Sequence, residues 1–287
     1  MDSTRARAQE LIYLVAMELR GQGMQLPEEI KALVNRRRDR NEPGWREKEQ
    51  AQEELALTIR SYWRKQKARI GAKLGELFPE RKQTWPIMLA GDLGDEFWRD
   101  EEDDLKSELL ITLMRNAVSG AELTAAMTNL GFDFPRASAK AAEWARLHAG
   151  ELSAGMNKTT RDMLGQAIRM FIETPGFTIR DVTNVLDDGA YTEARALMVA
   201  VTETTRAYAE GQRAAGEVLL EENPGAHMQK EWFTNNDDLV CDLCGPLNEQ
   251  IVDEANMFST EGGLAVDYPP LHPNCRCWVE TFIGFGP

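Results

Sequence analysis

Apolar residues recur at helical spacing over most of this chain and then give way to short runs separated by turns. Leu11, Val15 and Leu19 fall at i, i+4 and i+8, with Leu14 beside them, and predict a helix over 3–20 that Gly21 and Gly23 end. Pro27 suits the first turn of a second helix carrying Ile30, Leu33 and Val34, closed by the Pro43-Gly44 break. A third, long helix is predicted from Trp45 to Leu77. Further helices are expected over 101–118, 120–130, 136–152 and 158–173. The turn Glu173-Thr-Pro-Gly-Phe177 then breaks the pattern, and Thr178 or Arg180 opens a short helix over 178–187. The last helix, 191–222, carries a stripe marked by Leu197, Val201, Thr205, Tyr208 and Gln212 and stops at Asn223-Pro224-Gly225. Beyond Gly225, residues 230–234, 250–252 and 277–283 read as short strands. The expected architecture is mainly α, a multi-helix body with a small C-terminal α+β module. Three regions follow: an N-terminal helical region (1–136), a second helical portion (137–224) and a small β-rich Cys/His module (225–287).

Composition narrows the class. A chain of 287 residues with 43% hydrophobic and 28% charged residues reads as soluble and globular. No apolar run approaches the roughly 20 residues of a membrane-spanning helix, and the N-terminal stretch lacks a secretory cleavage pattern. The net charge of −14 is uneven: residues 1–82 hold 18 Lys+Arg against 13 Asp+Glu, residues 83–150 hold 6 against 12, and residues 151–287 hold 9 against 22. The acidic C-terminal half repels nucleic acid at long range, which argues against a zinc-ribbon nucleic-acid binder there.

Within the basic region, the helix segment 60–73 carries Arg60, Arg64, Lys65, Lys67, Arg69 and Lys73 with no acid, and Tyr62 and Trp63 lie among them. Cations interleaved with aromatics can bind phosphates and stack on bases. The favoured account is a solvated helix face whose Tyr62, Trp63 and Ile70 point to the core. A basic face docking on an acidic protein partner is a third account. The acidic run from Asp92 to Asp104 does not fit an EF-hand loop and is expected to be a solvated helix N-terminus.

All four cysteines lie in one window: Cys241 and Cys244 as C-x2-C, then His272, Cys275 and Cys277 as H-x2-C-x-C. Zinc takes thiolate and imidazole ligands in closed tetrahedral structural sites. The expected ligands are Cys241, Cys244, Cys275 and one of His272 or Cys277, a Zn²⁺ staple for a module with few large apolar side chains. Disulfides would need an oxidising compartment, and a redox pair would need a thioredoxin-like context. The chain carries no H-E-x-x-H helix, Walker A loop, dinucleotide fingerprint or nucleophile elbow. Of the other histidines, His148 reads as structural and His227 as an exposed linker residue.

Several ordered motifs carry a family likeness. They are Glu193-Ala-Arg195 through Thr202-Glu203-Thr-Thr-Arg206-Ala-Tyr-Ala, Trp232-Phe-Thr-Asn-Asn-Asp237, Cys241-x2-Cys244, Phe258, and Pro269-Pro-Leu-His272-Pro-Asn-Cys275-Arg276-Cys277, with a helical lead-in at 141–152 and 158–161. Over residues 137–283 the chain resembles the tailed-phage minor head protein family, the Mu F-like head-morphogenesis group. The resemblance implies a non-enzymatic virion or procapsid component made in the host bacterial cytoplasm. It implies association with portal and capsid proteins at the portal vertex, and a part in head assembly, DNA packaging or ejection. Portal acids or packaged DNA are then the expected contacts of the 60–73 cations. Many members carry Arg and His at the positions of Cys241 and Cys244 while keeping a Cys-Arg-Cys, which strengthens the case for Cys277 as a ligand. An alternative is a zinc-dependent enzyme or toxin-type effector carrying a phage-like domain.

Overall fold

A computed structural model describes residues 43–78, 93–128, 131–235, 240–260 and 262–285. The helices expected over 3–20 and after Pro27 lie outside the described residues, as do Asp92, Asp237 and Asp238. Five α-helices are described: α1 (Trp45–Leu77), α2 (Asp95–Thr128), α3 (Phe134–Glu173), α4 (Ile179–Asp188) and α5 (Glu193–Glu222). Strands β1 (Ala226–Phe233), β2 (Ile251–Asp253), β3 (Phe258–Ser259), β4 (Ala265–Val266) and β5 (Trp278–Phe285) follow. The expected architecture, a helical body with a small C-terminal sheet module, is the one observed. Among the described residues no helix is long and apolar enough to cross a membrane.

Two compact units form, each from separated stretches of chain. The first, here the body unit, comprises the described residues of 50–114 and 144–200. Its core joins Ile70 and Leu74 of α1, Trp98 of α2, Leu164 and Phe171 of α3, and Leu186 of α4. Thr178 caps α4: its side chain accepts from the Asp181 amide at 3.2 Å, while the Asp181 carboxylate accepts from the Thr178 amide at 2.7 Å.

A polar network runs through this unit. Tyr62 donates to the Glu101 carboxylate at 2.5 Å, and Arg69 grips the same carboxylate at 2.5 and 2.7 Å. Gln66 donates to Asn157 at 2.6 Å and accepts from Tyr191 at 2.7 Å. Burial, followed by the hydrogen bond to Glu101, pushes the Tyr62 hydroxyl pKa well up, so it stays a donor. This network corrects one expectation. The acidic run is a helix N-terminus, with Asp95 and Glu96 in the first turn of α2, but Glu101 within it is buried at 2% exposure.

The second unit, here the module unit, gathers the described residues of 43–49, 115–143 and 201–287. Two of its helical segments approach at backbone contact: a Cβ at Gly120 of α2 would strike the Tyr208 carbonyl, and one at Gly211 of α5 would strike the Ala117 carbonyl. The missing side chains let these backbones meet. Ala121, Ala137, Ala215 and Val218 continue that core. The strands form a three-stranded antiparallel sheet in the order β2-β1-β5, with Trp232 opposite Val279 and Lys230 opposite Thr281, and β3 pairs with β4. Trp232, Phe258, Leu247 and Val279 make the module's own core together with Cys244, Cys275 and Cys277.

Several boundaries differ from the sequence reading. The breaks expected near 119 and between 152 and 158 are absent, and α2 and α3 run straight through. Gly120 serves close packing rather than a stop. Asn157 is held by Gln66 inside the body unit instead of ending a helix. Leu197 is 49% exposed, and the α5 core positions are instead Val201, Thr205, Tyr208 and Gln212 with neighbouring alanines. His227 lies on β1 rather than in a linker, half-exposed and 3.0 Å from Asp253. His148 stacks on Trp144 at 4.8 Å.

Candidate metal centre

The two halves of the cysteine window are tight turns that aim side chains inward. In the first, the Cys241 carbonyl accepts from the amides of Cys244 at 3.1 Å and Gly245 at 3.0 Å, and a short 3₁₀ turn (Gly245–Leu247) follows. In the second, Asn274 takes a left-handed φ of 63°, a conformation Asn tolerates. The Cys275 amide can then reach back to the His272 carbonyl at 3.2 Å. The Asn274 amide is anchored on the Thr202 hydroxyl of α5 at 2.7 Å. Cys277 sits at the mouth of β5, whose pairing with β1 fixes it.

These turns bring all five expected donors together as two overlapping triads. Cys241, Cys244 and His272 form one, and Cys244, Cys275 and Cys277 the other, with the donor atoms of each triad within 4.8 Å of one another. The His272 Nε2 lies 3.0 Å from the Cys241 Sγ and 3.1 Å from the Cys244 Sγ, and the Cys244 and Cys275 sulfurs are 3.8 Å apart. A tetrahedral zinc with bonds of about 2.3 Å to sulfur spaces its sulfurs by about 3.8 Å, so the last separation suits a shared ion. All four cysteines are free thiols.

The chemistry of the donors fits a cation as well. His272 Nδ1 is 2.8 Å from the Pro273 carbonyl. As the donor there, Nδ1 leaves Nε2 with its lone pair towards the sulfurs, the usual second-shell arrangement of a ligating histidine. Burial raises the Cys241 thiol, but the amides of Cys244 and Leu243 aimed at its sulfur bring it below its ordinary value. Hydrogen bonds from Cys244 and Cys277 pull Cys275 down to about 2, while hydrogen bonding to Cys275 pushes Cys244 well up. Cys277 is lowered by Cys244, yet its hydrogen bond to Cys275 and its burial carry it to about 12. Thiols crowded this closely compete for protons, and a bound cation removes the competition by taking thiolates directly. A cavity of about 30 Å³ at the cluster is lined by the five donors and by Asn235, Val240, Asn274 and Arg276. The residues present therefore fit a metal ion.

The other expected contact residues lie on α1. Within the body unit Arg60 pairs with Glu193 at 2.6 Å, Lys65 with Glu108 at 2.7 Å, Lys67 with Asp187, Arg69 with Glu101, and Lys73 with Glu76 at 3.2 Å. Arg64 donates to the Arg60 carbonyl at 3.4 Å. Tyr62, Trp63 and Ile70 are buried, as the solvated-face account expects. Residue-by-residue reading missed a buried group in the module: Lys230 with Asp267, Tyr268 and Glu254. Lys230 and Asp267 stand 37 residues apart, and no spacing rule links the group.

Residues 142–280 match the family described as Phage Mu protein F like protein. No curated protein and no solved structure matches the chain significantly.

Proposed function

This chain belongs, through residues 142–280, to the Mu F-like head-morphogenesis family of phages, and from that premise we propose that it is a non-enzymatic minor head protein acting at the portal vertex. It is a phage head-related protein by family. In this reading it resides in the virion after synthesis in the host cytoplasm, binds portal and capsid proteins, and assists head assembly, DNA packaging or ejection. The family match is the observation that carries the reading.

In the same reading Cys241, Cys244, Cys275 and His272 hold a Zn²⁺, with Cys277 buried against the set. Zinc bound there supplies a closed cross-link between the two turns and no open coordination position. The chain's own contribution is to orient His272 through Pro273 and to direct the Leu243 and Cys244 amides at Cys241. Arg60, Lys65, Lys67 and Lys73 would meet portal acids or DNA only by competing with their present partners, and surface pairs of this kind are worth at most about 1 kcal/mol each, whereas Arg69 is committed to the buried Glu101.

Co-sedimentation tests the head assignment. The protein is expected to travel with portal rings and with purified procapsids or mature heads. Its absence from both kinds of particle would overturn the proposal.

A further inference from the structure

Lys230 is a buried cation that the metal centre does not use. It stands on β1 with no side-chain exposure and is ion-paired with Asp267, which follows β4. Its Nζ lies 4.5 Å from the Tyr268 ring centroid and 5.7 Å from that of Phe258, so aromatic faces enclose the ammonium. Glu254, the residue after β2, shares this site: its amide donates to the Met228 carbonyl at 2.9 Å, and its carboxylate accepts from the Tyr268 hydroxyl at 2.9 and 3.0 Å. The group thus contains an amine in contact with one carboxyl, that of Asp267, and a second carboxyl, that of Glu254, tied to the neighbouring Tyr268 hydroxyl. Arg213 of α5 faces the same group and is itself tied to Glu210 at 2.8 Å and to Glu217.

We propose that Lys230 and Asp267 form an intramolecular isopeptide bond, with Glu254 as the proton carrier. The Lys230 side chain is fully buried against aromatic rings while its Nζ is in contact with the Asp267 carboxylate, the placement a lysine nucleophile needs. Burial raises Glu254 to about 7, so it can exchange protons near neutral pH. In the step, the ammonium gives up a proton through Glu254 and the neutral Nζ attacks Asp267 Cγ. The C–N bond forms, one carboxyl oxygen leaves as water after taking up two protons from nitrogen by way of Glu254, and Glu254 returns to its starting state. Ammonium plus carboxylate become amide plus water, with no oxidant, nucleotide or metal required. Asp267 is 46% exposed, which gives that water a way out. Holding the two groups in contact supplies the effective concentration that the reaction lacks in free solution. The product ties β1 covalently to the loop entering the second half of the cysteine window, closing a loop across 37 residues of sequence.

Intact mass measurement of the full-length folded protein under denaturing, reducing conditions decides the matter. The expected mass is that of the sequence less one water, with a branched peptide joining the Lys230 and Asp267 segments after digestion. The full sequence mass, with both residues in linear peptides, would overturn the proposal. Lys230→Arg is expected to restore the full mass, and loss of water in that variant would place the dehydration elsewhere and sink the idea. Folded Glu254→Gln is expected to lose at least tenfold in the rate of bond formation, and an unchanged rate would remove Glu254 from the mechanism. The bond depends only on the module's fold, so its absence leaves the head assignment untouched.

Discussion

Glu280 shows how one residue sets a pH dependence. It stands on β5 directly opposite Glu231 of β1. It is buried, receives a long hydrogen bond of 3.4 Å from the Trp278 indole, and burial raises its carboxyl to about 8. The folded state therefore holds this proton more tightly than the unfolded chain does. Its stabilising effect is full below the ordinary glutamate value of about 4.5, declines as pH rises, and is lost above about 8. Glu280→Gln should remove that decline, worth on the order of a few kcal/mol at most. Urea unfolding at mildly acidic and mildly alkaline pH measures it, and an unchanged pH slope in the variant would show that another group is responsible.

At the level of elements, glycine has opposite meanings at different positions in the helices. Gly120 and Gly211 mark where α2 and α5 meet backbone to backbone, and a methyl group at either position collides with a carbonyl that cannot move alone. Gly120→Ala or Gly211→Ala should destabilise the module unit by about 2 kcal/mol or more, since the helices must separate. Gly75 in α1 has nothing within 4 Å of its Cβ position. Gly75→Ala should stabilise the body unit by roughly 0.5–1 kcal/mol through helix propensity. Thermal melts of the variants compare the two outcomes directly, and a neutral Gly120→Ala would contradict the close crossing. The same residues explain why helix ends were partly hidden in the sequence. A glycine that allows packing and one that stops a helix look alike until a neighbour is known. By contrast the start of α4 was expected at Thr178 or Arg180, and the structure settles it on Thr178, capped with Asp181 three residues on, within reach of a sequence reading because capping is local.

For the molecule as a whole, the metal proposal and the two-unit organisation make one joint prediction. Elemental analysis should find about one zinc per chain, and a strong chelator should lower the melting of the module unit while leaving that of the body unit in place. His272→Ala should lose the metal, and Cys277→Ser should keep it. Protein purified without chelator yet lacking metal would refute the staple. Melting of both units together on chelation would deny them separate stability.

What the sequence determined by itself is what depends on neighbours along the chain. That covers the mainly α class, α1 from Trp45 to Leu77, the stops at Pro175-Gly176 and Asn223-Pro224-Gly225, the switch to strands after Gly225, the five clustered donors and the family likeness. Helical periodicity, capping and C-x2-C spacing are short-range properties, and they survive without knowledge of the fold. Tertiary structure decided what depends on partners far away. It buried Glu101 against Arg69 and Tyr62, carried α3 through Asn157, and turned Gly120 into a contact point. It also set Lys230 beside Asp267 and split the five donors into two triads sharing Cys244. In each case a side chain's role was fixed by the polar or backbone group that packing brought to it, and that group is not written at any fixed distance along the sequence.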